Sequence, residues 1–554
     1  MFSNNLFHAL ATAVSLLAVA GCAEIGTDRA PGRLAVAAQS SPELTRPALQ
    51  KAFGSKKPGS QTAAFYENRN FAPAWTGGAE REEMAAQLRA ILARAHEQGL
   101  RDADYRLPPN AQPAPGPQAA EYDIALTDTA LRYAHDLRIG RLRPNDVYDD
   151  VELPAFRFNG AAGLAQALTS HMLAEFFADR LPPHPEYRQL AKALIRYRAI
   201  ADEGGWPSLP GTNEIAFEGK DPRLSALIKR LSVEDSVFAA KPNPSKAELH
   251  DAVKRFQARN GLDQDGRVRG ETLAALNVSA KARADQIAAN MERWRWLPLQ
   301  FESRYVAVNV PDQSVQFVRD GKAILTSRVI VGRKTSPTPI TRSEIVAVVV
   351  NPPWDIPGDI AARDLLPHLR QNANYLATKR MVVTDGPPGD PYGRTIDWRK
   401  IVPAEFPYAI RQLPGPQTAL GTVMLDSPND FDVYLHDTPG KKFFASSERE
   451  ISNGCVRVQQ ILPLASLMLK DNADRGMAVL KQASKSSQTQ RLTLDKPLPV
   501  YFLYWTVMAN SDGSIEFRPD RYHRDPALIA ALAGKTVRAK SAQADAMPEG
   551  EVSP

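Results

Sequence analysis

"YLHDTPGKKFFASSEREISNGCVRVQQ", residues 434–460, brings one of the chain's two cysteines and one of its nine histidines into a single segment. His436 closes an alternating run, "FDVYLHDT", that reads as a strand. Cys455 follows a polar loop, nineteen positions later. A strand end and a turn beyond a loop can meet in space, so the spacing permits a nucleophile–base pair. The thiolate attacks carbonyl carbon, and free cysteine is mostly protonated at neutral pH, so an adjacent imidazole would activate it. Gly454 permits φ > 0 and close approach of a substrate backbone. Amides at Gly454 and Cys455, just ahead of the apolar "ILPLASL" helix, are candidates for an oxyanion hole, where one donor contributes ~3 kcal/mol. On residue chemistry alone, a core cysteine and a hydrogen-bonded turn histidine stay open as alternatives.

The whole chain sets the frame around that segment. At 554 residues it exceeds a single hydrophobic core, and two to four domains are expected. Hydrophobic content of 43% and charged content of 23% are those of ordinary globular protein, while 44 prolines point to many loops and linkers. Net charge is +6, from 68 basic and 62 acidic residues, with no basic run that would suit nucleic acid. A slightly basic surface suits an anionic polymer or simply solubility.

Residues 1–22 read as a signal peptide. The apolar run "LATAVSLLAVA" is too short to span a bilayer, and "VAGC" resembles a bacterial lipobox that would lipidate Cys22. The segment "MFSNNLFH" lacks the usual basic residue, so plain export with cleavage near Ala20 or Ala23 is the alternative. Either route places the protein outside the cytoplasm. With Cys22 acylated, Cys455 has no intrachain disulfide partner.

Residues 23–60 read as a flexible tether. Helical periodicity dominates 61–235, as in "REEMAAQLRAILARAHEQGL", and predicts a helical scaffold domain. Residues 246–278 form a compact helical unit with an Asp265-Gly266 turn, and 279–302 read as a connecting helix. From 303 to 510 the period becomes two, as in "YVAVNVPDQSVQFVRDGKAILTSRVIVG", with an Asp320-Gly321 hairpin signal. Residues 357–412 interrupt the strands as a helix and irregular chain, suggesting an inserted lid, and 511–554 read as an extension with a disordered tail. The fold class is therefore multidomain α+β.

The segment "HDTPGKKFFASSEREISNGCVRV" resembles the signature of the L,D-transpeptidase catalytic domain, in its large murein-cross-linking (YcbB-like) form. That signature runs His, loop, then Ser-x-Gly-Cys-x-Arg, matched here by His436, Ser452, Gly454, Cys455 and Arg457. "NPPWDIP", "RQLPGPQTALG", "RWRWLP" and "FYENRNFAPAWTG" extend the resemblance over roughly residues 63–520. "AVKRFQARNGL", "DG" and "TLAALN" resemble a three-helix peptidoglycan-binding domain. Asn453 stands where His or Ser is commoner, and Ala419 where Asn is usual.

The resemblance implies a mainly-β catalytic domain and a two-step acyl transfer without metal or cofactor. Cys455 would attack a stem tetrapeptide between diaminopimelate and the terminal D-Ala, with His436 as general base and acid. The Asp437 carbonyl would orient the imidazole. A diaminopimelate amine of a neighbouring stem would then open the thioester, giving a 3→3 cross-link. Water, or a protein lysine, as acceptor stays open. Arg457 would bind a substrate carboxylate or brace a loop through an ion pair. Ser452 would contact the histidine loop or serve only as a turn residue. Asn453 is a further candidate for substrate binding, Trp354 and Tyr434 are candidates for the substrate wall or for the core, and no role is assigned to the Asp355 and Asp437 carboxylates. The implied partner is peptidoglycan, with penicillin-binding proteins or glycosyltransferases as protein partners, and the implied location is a Gram-negative periplasm with a lipid anchor in the outer membrane. Papain-like order, Ser-x-x-Lys sets and His-Glu-x-x-His are absent. A non-catalytic wall-binding lipoprotein is the rival from another class.

Overall fold

The computed structural model describes residues 42–54, 60–109, 113–218, 221–241, 243–415, 417–469 and 473–536. The lipobox, Cys22, most of the tether and the end of the tail lie outside the described residues. Among the described residues no helix is long and apolar enough to cross a membrane.

The N-terminal half is helical. Helices Pro42–Gly54, Gln61–Asn68, Ala79–Leu92, Pro117–Ile139, Ala161–Thr169 and Leu173–Ala178 share one core that includes Phe65, Trp75, Leu88 and Leu126. That core ends near Leu181, well before the expected boundary at 235. The next stretch belongs elsewhere. Leu209, Ile215, Leu227, Leu231 and Phe238 pack with Val253, Phe256, Leu273 and Leu276 as a single cluster. Residues 246–278 contribute only the helices Lys246–Arg259 and Gly270–Leu276, so a third helix is recruited from Leu224–Ser232. Two short helices have too little apolar surface to close a core alone. Arg230 completes the join: fully buried, it lies 3.9 Å over Trp206 and bonds the Leu276 carbonyl at 3.1 Å and Glu234 at 2.9 Å.

The C-terminal half, joined by one strand from the helical part, is built on strands β1 (Val151–Glu152), β2 (Arg304–Asn309), β3 (Ser314–Arg319), β4 (Lys322–Gly332), β5 (Ile340–Val350), β6 (Trp354–Ile356), β7 (Met381–Val383), β8 (Ile410–Gln412), β9 (Val423–Asp426), β10 (Leu435–His436), β11 (Glu450–Ser452), β12 (Val456–Val458), β13 (Gln490–Leu503), β14 (Val507–Ala509) and β15 (Ile515–Phe517). The main sheet runs β1-β5-β13-β2-β3-β4-β12-β10-β9, and β9 pairs back onto β5, so the sheet closes on itself. Alternation then sorts the side chains. Val306, Val308, Phe317, Leu425, Leu435, Val456 and Val458 point into one core, leaving their neighbours outside.

The insert is a subdomain with its own core. β6, β8 and β7 form a separate three-stranded sheet, and Ile356, Leu366, Leu376, Met381, Trp398 and Ile410 cluster beneath it. Its leading helix contains a π turn over Ala361–Leu365.

The expected connecting helix, Ala280–Arg295, is no spacer. It buries Asn290, Glu292, Arg293 and Arg295. Glu292 accepts from Arg295 at 2.7 Å and from the Leu142 amide at 2.8 Å. Arg293 donates to Asp525 at 2.6 Å and to the Tyr148 hydroxyl at 3.0 Å. The chain beyond 510 is thus integral at least to its helix Asp525–Leu532, whose Asp525 also accepts from Thr506 at 2.8 Å. Removing one partner of a buried pair strands the other charge, at a cost of about 3–5 kcal/mol. Asp525→Ala is accordingly expected to lower unfolding stability in urea by about that amount, while Asp512→Ala on the exposed hairpin leaves it nearly unchanged.

Candidate active site

β10 and β12 are parallel neighbours, with Leu435 opposite Val456 and His436 opposite Arg457. One step back, the Val456 amide donates to the Tyr434 carbonyl at 3.0 Å. Leu435 and Val456 are core residues, so Tyr434, His436, Cys455 and Arg457 all face outward together. On that face lies a cavity of about 670 Å³, closed on its far side by the insert and lined by Trp354, Tyr434, His436, Cys455 and Arg457. The loop that separates histidine from cysteine in sequence is simply the connection between adjacent strands.

The nucleophile turn is braced from within. Ser452 Oγ donates to the Cys455 carbonyl at 2.6 Å and accepts from the Gly454 amide at 3.3 Å. Thr338 Oγ1 donates to the Gly454 carbonyl at 2.7 Å. Gly454 has φ +112°, which a side chain would oppose. Two expectations change here. Ser452 closes the cysteine turn and, among the described residues, makes no side-chain bond to the histidine loop. The Gly454 amide is already engaged, which removes it as a ready oxyanion donor and leaves the Cys455 amide of that turn. Nor does a helix dipole aim at the sulfur, because β12 intervenes before the helix Ile461–Leu469.

His436 is held from behind. Its Nδ1 donates to the Asp437 carbonyl at 2.5 Å, which leaves Nε2 as the basic nitrogen. The Asp437 carboxylate, to which the sequence assigns no role, anchors that carbonyl. It accepts from the Thr422 amide at 2.9 Å and the Thr422 hydroxyl at 2.8 Å, and it pairs with Lys441. Gly421 makes the approach possible, since a Cβ there would collide with the Asp437 side chain.

Electrostatics keep the pair neutral at rest. Burial, reinforced by the Arg457 charge, drives the His436 imidazole down to about 3, against the opposing pull of the Asp437 carbonyl. Burial pushes the Cys455 thiol up, partly offset by hydrogen bonding to Tyr434 and by Arg457. Sγ lies 3.7 Å from the Asp432 carbonyl, and no hydrogen bond joins it to the imidazole among the described residues. The Tyr434 hydroxyl reaches both the sulfur and the Trp354 indole. Burial thus favours a neutral thiol beside a neutral base, poised for proton transfer when substrate displaces water.

Arg457 is mostly buried, and no ion pair to it exists among the described residues, so the loop-bracing alternative loses its partner. Its Nε is buried without a hydrogen bond. Asn453 is committed elsewhere. Its Oδ1 accepts from Arg363 at 3.0 Å and from Arg333, and its amide approaches Asp364 at 3.4 Å, tying the cysteine loop to the insert. Asp355 pairs with Arg411 at 2.9 Å across β6 and β8. Arg333, Thr338, Gly421 and Thr422 escaped sequence reasoning because each acts through a tertiary contact. Among the described residues, no group of His, Cys, Asp and Glu could hold a metal ion.

Comparison with known proteins gives three family matches and several relatives. Residues 303–479 match the L,D-transpeptidase catalytic domain family. The chain carries an L,D-transpeptidase catalytic domain. Residues 244–276 match a peptidoglycan-binding domain family, and 60–194 match a family described as a scaffold domain. A Haemophilus influenzae protein provisionally named an L,D-transpeptidase is 37% identical over 243 residues, 43% of this chain and 48% of its own. The alignment thus spans about half of that relative. Two solved structures also match: the Ldtfm-avibactam carbamoyl enzyme, at 15% identity and TM-score 0.18 over 37% of this chain and 50% of that one, and a cysteine-to-serine mutant of an Enterococcus faecium L,D-transpeptidase, at 14% and 0.17 over 37% and 51%. At those scores the superpositions carry no further argument.

A buried neutral histidine has a consequence for stability. Between pH 6.5 and about 3, unfolded His436 takes up a proton that the folded protein refuses. Its contribution is therefore present above pH 6.5 and lost as the pH falls through that window. His436→Gln is expected to flatten this part of the stability–pH curve, measured by urea unfolding at pH 7, 5.5 and 4.5.

Proposed function

We propose that this protein is a cysteine acyltransferase of the large murein-cross-linking type, forming 3→3 links in peptidoglycan. The observation that carries the reading is the shared outward face of Cys455, His436 and Arg457 within one cavity. In the first half-reaction, Sγ forms a bond to the carbonyl carbon of diaminopimelate at position three of a donor stem. His436 Nε2 takes the thiol proton and returns it to the departing D-Ala amine as the amide bond breaks. The Cys455 amide faces the developing oxyanion. In the second, the side-chain amine of an acceptor diaminopimelate attacks the thioester, gives up a proton to His436, and releases the sulfur as thiol.

A neutral resting pair suits this sequence. A permanent imidazolium cannot accept the thiol proton, whereas a neutral Nε2 can, and the negative charge formed on the carbonyl oxygen meets the backbone donor. Arg457, a cation without a carboxylate partner beside the sulfur, fits a carboxylate of the stem. The peptidoglycan-binding unit supports the same substrate class. Hydrolysis by water remains the second reading, because the open side of the cavity admits water as readily as an amine. Export to the periplasm, anchorage through Cys22 and association with wall synthases belong to this proposal.

The test is product analysis with purified tetrapeptide muropeptides. Wild type is expected to release D-Ala and form 3→3 dimers, and Cys455→Ala neither. D-Ala release without dimers would favour the carboxypeptidase, and no release by wild type would leave a binder. Arg457→Ala is expected to raise KM by about 10- to 100-fold, matching loss of a charged hydrogen bond, with a smaller change in kcat. A carbapenem, whose strained amide is open to the same thiol attack, is expected to leave a mass adduct on Cys455.

A further inference from the structure

A second cleft, of about 760 Å³, lies away from the catalytic cavity where the outer face of β2 and β3 meets the chain before helix Pro185–Asp202 and the turn leading into β14. Its apolar wall is aromatic. Trp505 stacks on Trp294 at 4.4 Å, Phe301 stacks on Tyr305 at 4.8 Å, and His184 bridges the two stacks with ring centroids 4.9 and 5.0 Å from Trp294 and Phe301. Its polar groups are amides, hydroxyls and the carboxylates of Glu186, Glu302 and Asp320. No lysine or arginine lines it, although the chain as a whole is basic. Arg342 reaches Glu302 from outside the cleft at 3.0 Å, leaving Glu186 and Asp320 facing it. The contrast with the catalytic cavity, where Arg457 awaits an anion, is direct.

Such a lining discriminates by chemistry. The edges and uncovered faces of Tyr305, Phe301 and Trp505, each partly exposed, accept the C–H faces of a pyranose. Carboxylates and amide oxygens accept hydrogen bonds from sugar hydroxyls and acetamido N–H groups. Anionic ligands are repelled. We propose that this cleft binds a neutral N-acetylated glycan, the saccharide strand of the wall polymer. The inference rests on the proposed substrate class and adds the place where its sugar backbone sits.

In the closed sheet β2 and β10 are four strands apart in either direction, so the cleft and the catalytic cavity lie on different sides of the wall. The three stem residues before the scissile bond reach about 11 Å, less than the three to four strand spacings of roughly 15–19 Å that separate the two sites. The cleft therefore holds a strand of the polymer without placing that strand's own stem at Cys455.

The test uses the full-length protein with a β-1,4-linked N-acetylglucosamine tetramer, read by tryptophan fluorescence, since Trp294 and Trp505 form the wall. A saturable change is expected in wild type and in Cys455→Ala. It is expected to weaken at least about tenfold, about 1.4 kcal/mol, in Tyr305→Ala. Ala323→Arg, which places a cation at an exposed position on the rim, is expected to weaken it while leaving folding unchanged. D-Ala release from a free soluble tetrapeptide is measured on the same proteins and is expected to survive both cleft substitutions, so failure of the catalytic reading is scored separately. Saccharide binding unaffected by both substitutions would assign it to the peptidoglycan-binding unit and overturn the proposal. Absence of binding, or displacement of the sugar by free diaminopimelate at equal concentration, would overturn it too.

Discussion

The hydrogen bond from the Val456 amide to the Tyr434 carbonyl, 3.0 Å long, sets the register of two short parallel strands and thereby the chemistry of the molecule. With Leu435 and Val456 committed to the core, the residues on either side have no choice of face. A slip of one position would turn the imidazole inward and the sulfur away from it. The nucleophile turn reinforces that register through Ser452 and Thr338, and the histidine turn does so through Asp437, Thr422 and Gly421. Both reactive groups are thus held by backbone-directed bonds rather than by each other. Burial then decides their protonation, and it favours a neutral thiol and a neutral ring.

The remainder of the molecule organises access to this face. The insert, with its own core, covers the cavity and is fastened to the cysteine loop through Asn453, Arg363 and Asp364. Helix Ala280–Arg295 joins the helical scaffold, the closed sheet and the chain after 510 through buried ion pairs and the Leu142, Tyr148 and Thr506 contacts. Buried charged networks of this kind are poor sources of net stability and good sources of a unique arrangement when every partner is present.

Much of this organisation was legible in the sequence. The alternation around His436, the glycine before Cys455 and the change of period near 303 each report a local rule, and local rules survive translation into structure. The helix–sheet division and the insert followed from the same signals. What sequence reasoning missed was tertiary. Recruitment of Leu224–Ser232 into the small helical unit depends on Arg230 finding Trp206 and Leu276, residues on two other segments. The chain after 510 looked like a tail because Asp525 reveals its importance only beside Arg293. Asn453 and Ser452 sit within the signature yet serve the loop, since their neighbours decide what their polar atoms can reach. The neutrality of the thiol–imidazole pair depends on burial, which motif spacing does not encode.

The central claim is that the site is preorganised by strand register with its proton still on sulfur. Alkylation of Cys455 by iodoacetamide, followed against pH in the otherwise unmodified protein, measures this directly. The rate should climb without a plateau until the pH passes the ordinary thiol value of ~8.5, and His436→Gln should leave the shape of that curve intact. A plateau already reached near pH 6, abolished by the histidine substitution, would mean a standing thiolate–imidazolium pair and would contradict the account.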